Sequence, residues 1–175
     1  MSVDIKNSKL IDSKTNTFKV LDFITIQLFD GFWWQGDDIE KPSSKGSGFW
    51  AFNDPPEKAV AGIIVVVTED EDEVNVSLLN DKNLQKFDEL LKSSNSEDKE
   101  IIEWLGSRLI IYDEIKKLET QYIYKQDNKI SQNIEIRFFK AGKKIVVLCN
   151  YDLALKEPLA RLISKSLHSV EVEET

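Results

Sequence analysis

The 175-residue chain holds one histidine and one cysteine, so the side-chain chemistry open to it is narrow. His168 alone can act as a general base, and Cys149 with His168 would form a nucleophile–base pair. Metal sites built from several imidazoles, the two-histidine zinc helix among them, need more histidines than are present. Both residues sit where structural roles are expected. Cys149 follows the apolar run Ile145 to Leu148, as a packed, inert thiol does. His168 falls at the end of an expected helix, where a cation complements the helix dipole.

Phosphate and calcium chemistry fare no better. Lys45-Gly46-Ser47-Gly48 has the composition of a phosphate loop, but its lysine precedes the glycines instead of following them into a helix. Five consecutive carboxylates, Glu69 to Glu73, invite a calcium reading. An EF-hand loop needs a glycine at its sixth position and flanking helices, and neither is present. The run is expected to be a solvated turn that discourages edge pairing. No catalytic residue, cofactor or metal ligand is assigned.

Two features remain. Seven of the 17 aromatic residues fall between Phe29 and Phe52. Trp33 and Trp34 are adjacent, so in a strand they face opposite ways and one is expected to be at least partly exposed. Exposed tryptophan is enriched at binding hot spots. The second feature is acidity concentrated in loops, at Asp37-Asp38 and around Glu71 and Asp72. Trp33 and Trp34 with Asp37, Asp38, Glu71 and Asp72 are therefore the candidate partner-binding site, an aromatic anchor in an anionic rim.

These residues need elements to position them. Over 18–29, Ile24, Ile26 and Leu28 alternate with polar residues and favour a strand, while Leu21, Ile24 and Leu28 also fit a helical stripe as the alternative. Gly48 to Phe52 predicts a short aromatic strand, and Ala61 to Val67 a strand buried on both faces. Val74, Val76 and Leu78 alternate as a half-buried strand does. Asn80 or Asp81 can cap a helix whose apolar face is Leu84, Phe87 and Leu91. Ser94 and Glu97 have capping-box spacing for another helix. Ile101, Trp104, Arg108, Ile111, Ile115, Leu118 and Tyr122 then step by three and four, which predicts one long helix over 98–124. Gly106 marks a kink or end in it, in which case Leu109 to Tyr112 is the alternative strand. That helical stripe faces its own sheet or forms a homodimer seam. Gln126 to Gln132 is expected to be a loop. Ile134–Phe139 and Lys144–Cys149 flank Ala141-Gly142 as a hairpin. A last helix starts near Pro158.

The resulting fold class is α+β: a largely antiparallel sheet of five or six strands packed against about three helices. One domain over 1–175 is expected, with a loose arm over 1–16 and a frayed acidic tail over 169–175. No secretory signal or membrane span is seen, and the lone cysteine suits a reducing compartment, so the expected location is the cytoplasm. Net charge is −8, and 20 of the 23 basic residues are lysine. That balance opposes nucleic-acid and anionic-membrane binding and favours a basic protein partner. The leading expectation is a non-enzymatic protein-binding module, of the kind of an acidic intracellular inhibitor or a bacterial immunity protein. The alternative is a ligand-binding or enzymatic α+β domain whose pocket uses Trp33, Trp34, Trp50, Tyr122, Tyr124 or Tyr151.

Overall fold

A computed structural model of the chain describes residues 15–20, 24–29, 34–36, 46–52, 61–68, 76–97, 99–112, 114–154 and 157–173. Ten strands and two α-helices lie in them. The strands are β1 (Thr15–Val20), β2 (Ile24–Phe29), β3 (Trp34–Gly36), β4 (Gly46–Phe52), β5 (Ala61–Thr68), β6 (Glu100–Tyr112), β7 (Ile115–Gln126), β8 (Lys129–Lys140), β9 (Lys143–Asp152) and β10 (Glu171–Val172). The helices are α1 (Asp81–Asn95) and α2 (Glu157–His168), with a 3-10 turn at Val76–Leu78. The fold is mixed α+β, with two α-helices where about three were expected. A seven-stranded sheet runs β3-β4-β5-β9-β8-β7-β6, and a three-stranded one runs β1-β2-β10. Every pairing is antiparallel.

The large sheet is covered on both faces. Ile63, Val65 and Val67 of β5, Ile134, Ile136 and Phe138 of β8, and Ile145 and Val147 of β9 point to one side. There they meet Ile24, Ile26 and Leu28 of β2 and Ile163 and Leu167 of α2. The alternate residues of β5 are only half-buried, so β5 is not the doubly buried strand expected. On the opposite face Val76, Leu79, Leu91 and Leu118 form a second core with Leu84, Phe87, Trp104 and Leu109. Asn80 caps α1: its side chain accepts from the Lys82 N–H, and the Asn83 side chain accepts from the Asn80 N–H. Polar contacts dock α1 on the sheet. Trp104 stacks on Tyr122 with centroids 5.3 Å apart and donates to Asp88 Oδ2 at 2.9 Å. The Tyr122 hydroxyl donates to Asn95 Oδ1 at 3.0 Å.

The largest correction concerns 98–124. No helix lies there; β6 and β7 form a hairpin, and a homodimer seam built on that helix has no basis. Two β-bulges explain the misleading spacing. Ile101 pairs with Tyr124 and Glu103 with Ile123, so Ile102 is an extra residue; Trp104 pairs with Tyr122 and Gly106 with Gln121, so Leu105 is another. Each insertion puts residues three apart on one face, which imitates helical periodicity. Gly106 has φ +96°, a conformation that side chains disfavour. The expected loop over 126–132 is instead a two-residue turn, Asp127-Asn128, with both φ values positive as hairpin turns require. Ala141-Gly142 makes the same kind of turn between β8 and β9, as expected from the sequence.

Three smaller corrections come from local hydrogen bonds and pairing. Val76–Leu78 is a 3-10 turn where alternation predicted a strand. Ser94 and Glu97 start no helix; the Ser96 N–H donates to the Lys92 carbonyl and closes α1. The tail expected to fray holds β10, which pairs with β2 and buries Val170 and Val172.

Gly106→Ala should lower unfolding free energy by about 1–2 kcal/mol through backbone strain alone, since a Cβ there would meet nothing within 4 Å. Urea denaturation checks this, with an unchanged m-value expected. Tyr122→Phe should cost about 1–2 kcal/mol by leaving Asn95 Oδ1 without its donor.

Candidate functional site

Alternation on β7 puts Lys117, Glu119 and Gln121 on the face toward α2. Lys117 and Glu119 are each only 2% exposed. A buried carboxylate is costly unless its oxygens are filled, and those of Glu119 are. Arg108 Nε and Nη2 both lie 2.7 Å from Oε1, and Gln121 Nε2 donates to the same oxygen at 2.7 Å. His168, the last residue of α2, donates from Nε2 to Oε2 at 2.8 Å. Burial works to raise the pKa of Glu119, but the His168 and Gln121 hydrogen bonds and the Arg108 and His168 charges outweigh it and hold the group below its ordinary value of 4.5. Gln132 extends the network by donating to Gln121 Oε1 at 3.0 Å. Lys117 reaches the Val170 carbonyl at 3.5 Å and lies over the Phe138 ring.

An open hollow of about 380 Å³ lies beside this cluster, lined by Leu105, Gly106, Ser107, Arg108, Glu119 and Gln121. Its charged groups already satisfy each other. The donors on both oxygens favour the ionised form of Glu119, which through His168 anchors the end of α2. Among the described residues no group of three His, Cys, Asp or Glu gathers to hold a metal. Cys149 is fully buried, and burial pushes its thiol far up from the ordinary value.

The hollow opens at β6, the outer strand of the large sheet. Among the described residues nothing pairs with the outer side of this thirteen-residue strand, and an open edge of that kind is a template for strand pairing. Its exposed large apolar residues are Ile102 (50%), Leu105 (47%) and Ile111 (74%). Ile102 and Leu105 are the two bulge residues, which a bulge re-aims away from the ladder.

The residues singled out from the sequence fall elsewhere. Trp34 lies in β3, paired with Phe52, at the opposite edge of the same sheet. Trp33, Asp37, Asp38, Glu71 and Asp72 lie outside the described residues. The aromatics of the alternative pocket are not brought together: Tyr122 and Tyr124 face the α1 side, whereas Tyr151 belongs to the core under α2. The Glu119–His168 contact was missed. The polar alternation Lys117-Glu119-Gln121 carried a signal that the helical assignment concealed.

Glu119→Gln should lower stability by about 1–2 kcal/mol at pH 7 through weakened charge-assisted hydrogen bonds. Because the folded value is depressed, this contribution is present above the unfolded value of 4.5 and is lost as pH falls through the folded one. Urea titrations at neutral and acid pH should show wild type and variant converging in acid.

No family model and no curated protein sequence matches the chain. Solved structures do. The chain is similar to cyanobacterial PsbP from Synechocystis sp. PCC 6803, with TM-score 0.65 and 12% identity over 91% of this chain and 93% of that one. It is similar to the Saccharomyces cerevisiae Ran-binding protein Mog1p, with TM-score 0.56 and 11% identity over 91% and 96%. It is also similar to PA94 of Pseudomonas aeruginosa, described as a protein of unknown function and putative regulator, with TM-score 0.54 and 6% identity over 92% and 99%. At these identities the likeness establishes a shared α+β fold.

Proposed function

We propose that the chain is a protein-binding module that meets its partner along the edges of the seven-stranded sheet. The observation that carries this is β6: a long outer strand whose bulges turn Ile102 and Leu105 outward and whose other half exposes Ile111. Exposed apolar residues on an unpaired edge are a liability unless a partner uses them. The chain's net charge of −8 favours a basic partner, as an acidic intracellular inhibitor or immunity-type protein would have. Trp33 and Trp34, with Asp37, Asp38, Glu71 and Asp72, form a second contact in this proposal, supported by the position of Trp34 on the opposite outer strand. Mog1p is a Ran-binding protein, and the common fold lends the proposal the weight of analogy only. No helix in the described residues is long and apolar enough to cross a membrane.

A photo-crosslinking residue placed at Leu105 in the native host should capture one basic protein that the same residue at Ala154 does not. With that protein purified, Leu105→Lys and Ile111→Lys should each weaken binding by about tenfold or more. Its association rate should fall with added salt. Equal capture at both positions, or binding indifferent to both substitutions, would refute the proposal.

A further inference from the structure

The two halves of β6 differ. From Ser107 to Tyr112 the strand pairs with β7 without interruption, Ser107 opposite Thr120 through Tyr112 opposite Ile115. Over this half the outward backbone groups are spaced as an added strand needs. From Ile101 to Gly106 the two bulges break that spacing. An incoming strand is therefore limited to the Ser107–Tyr112 half. Leu109 and Ile111 pair with Leu118 and Lys116, on the α1 side of the sheet, so alternate residues of the incoming strand would pack on them.

Charge selects the residues at the far end of that strand. Glu103 is exposed beside the hollow, has Ile123 as its register partner, and has no ion pair among the described residues. Glu100 is also exposed; Lys125 stands opposite it in the register without forming an ion pair. Two other cations close by in the chain are committed elsewhere. Lys99 turns inward, donating to the Tyr122 hydroxyl at 3.2 Å and lying 4.9 Å from the Tyr124 ring centroid. Arg108 is held by Glu119. The bulged half thus presents two exposed carboxylates, neither in an ion pair among the described residues, next to two apolar side chains, Ile102 and Leu105.

Resting on the protein-binding role proposed for β6, we infer that the partner contributes an extended segment that adds antiparallel to Ser107–Tyr112. Its apolar residues alternate, and it ends in lysines or arginines that meet Glu103 and Glu100. Antiparallel addition continues the ladder of the sheet and places the C-terminal end of the segment beside the bulges.

The test uses the full chain and two synthetic peptides, acetyl-Thr-Val-Thr-Val-Thr-Val-Lys-Lys-amide and its counterpart ending in Glu-Glu. The lysine peptide should slow amide hydrogen exchange within 107–112 and leave α1 unchanged, and its affinity should fall with salt. The glutamate peptide should bind about tenfold or more weakly. The double variant Glu100→Lys, Glu103→Lys should reverse that preference, with circular dichroism confirming that it folds. Equal binding of the two peptides overturns the selection by Glu103 and Glu100, and no protection of 107–112 at about 1 mM peptide overturns strand addition. That result leaves the crosslinking outcome at Leu105 intact, so the two failures are distinguishable.

Discussion

A single buried carboxylate pins together layers that a common apolar core already brings into contact. Glu119 sits on β7 with its oxygens filled by Arg108 of β6, Gln121 of its own strand and His168 at the end of α2. Immediately after His168 the chain passes through Ser169, whose hydroxyl accepts from the Gln27 N–H at 2.8 Å, and then enters β10 beside β2. Lys117, two residues before Glu119, reaches the carbonyl of Val170. The α2–β10 junction is thus tied to two sheets. Apolar packing alone slides; directional contacts to charged groups fix one arrangement.

The other face of the large sheet uses different physics. There α1 rests on aromatic surface, and the polar atoms of Trp104 and Tyr122 are matched to Asp88 and Asn95. An amphipathic ring needs one apolar wall and one partner for its polar tip, and α1 supplies both. A helix packs on each face of the sheet, and the ladder itself stops at two ends. The strand order makes β3 and β6 those ends.

How much of this could be read from the sequence depended on how local its cause was. The β8–β9 hairpin was legible because Ala141-Gly142 accepts the left-handed turn and its flanks are β-branched. The start of α1 was legible because Asn80 is a good cap and Leu84, Phe87 and Leu91 share a stripe. The β6–β7 hairpin was not: two inserted residues changed a period of two into steps of three, and a helix satisfied the same pattern. The Asp127-Asn128 turn was hidden because polar residues at strand ends look like loop. Of the site, Arg108 and Gly106 were visible only as oddities in a supposed helix, and the Glu119–His168 contact needs the finished fold. Two titratable groups far apart in sequence leave no periodic trace of their meeting.

The paired bulges also bear on how this surface can change over generations. In an ordinary strand, losing one residue turns every later side chain over to the other face, and the core is ruined. At Ile102 or Leu105 the loss would merely flatten the strand, because each residue is surplus to the pairing with β7. The rim can therefore gain or shed a protrusion by single-codon deletion or insertion while the interior stays in phase. Length variation at this one outer strand thus changes the outline of the sheet's edge with no compensating change beneath it.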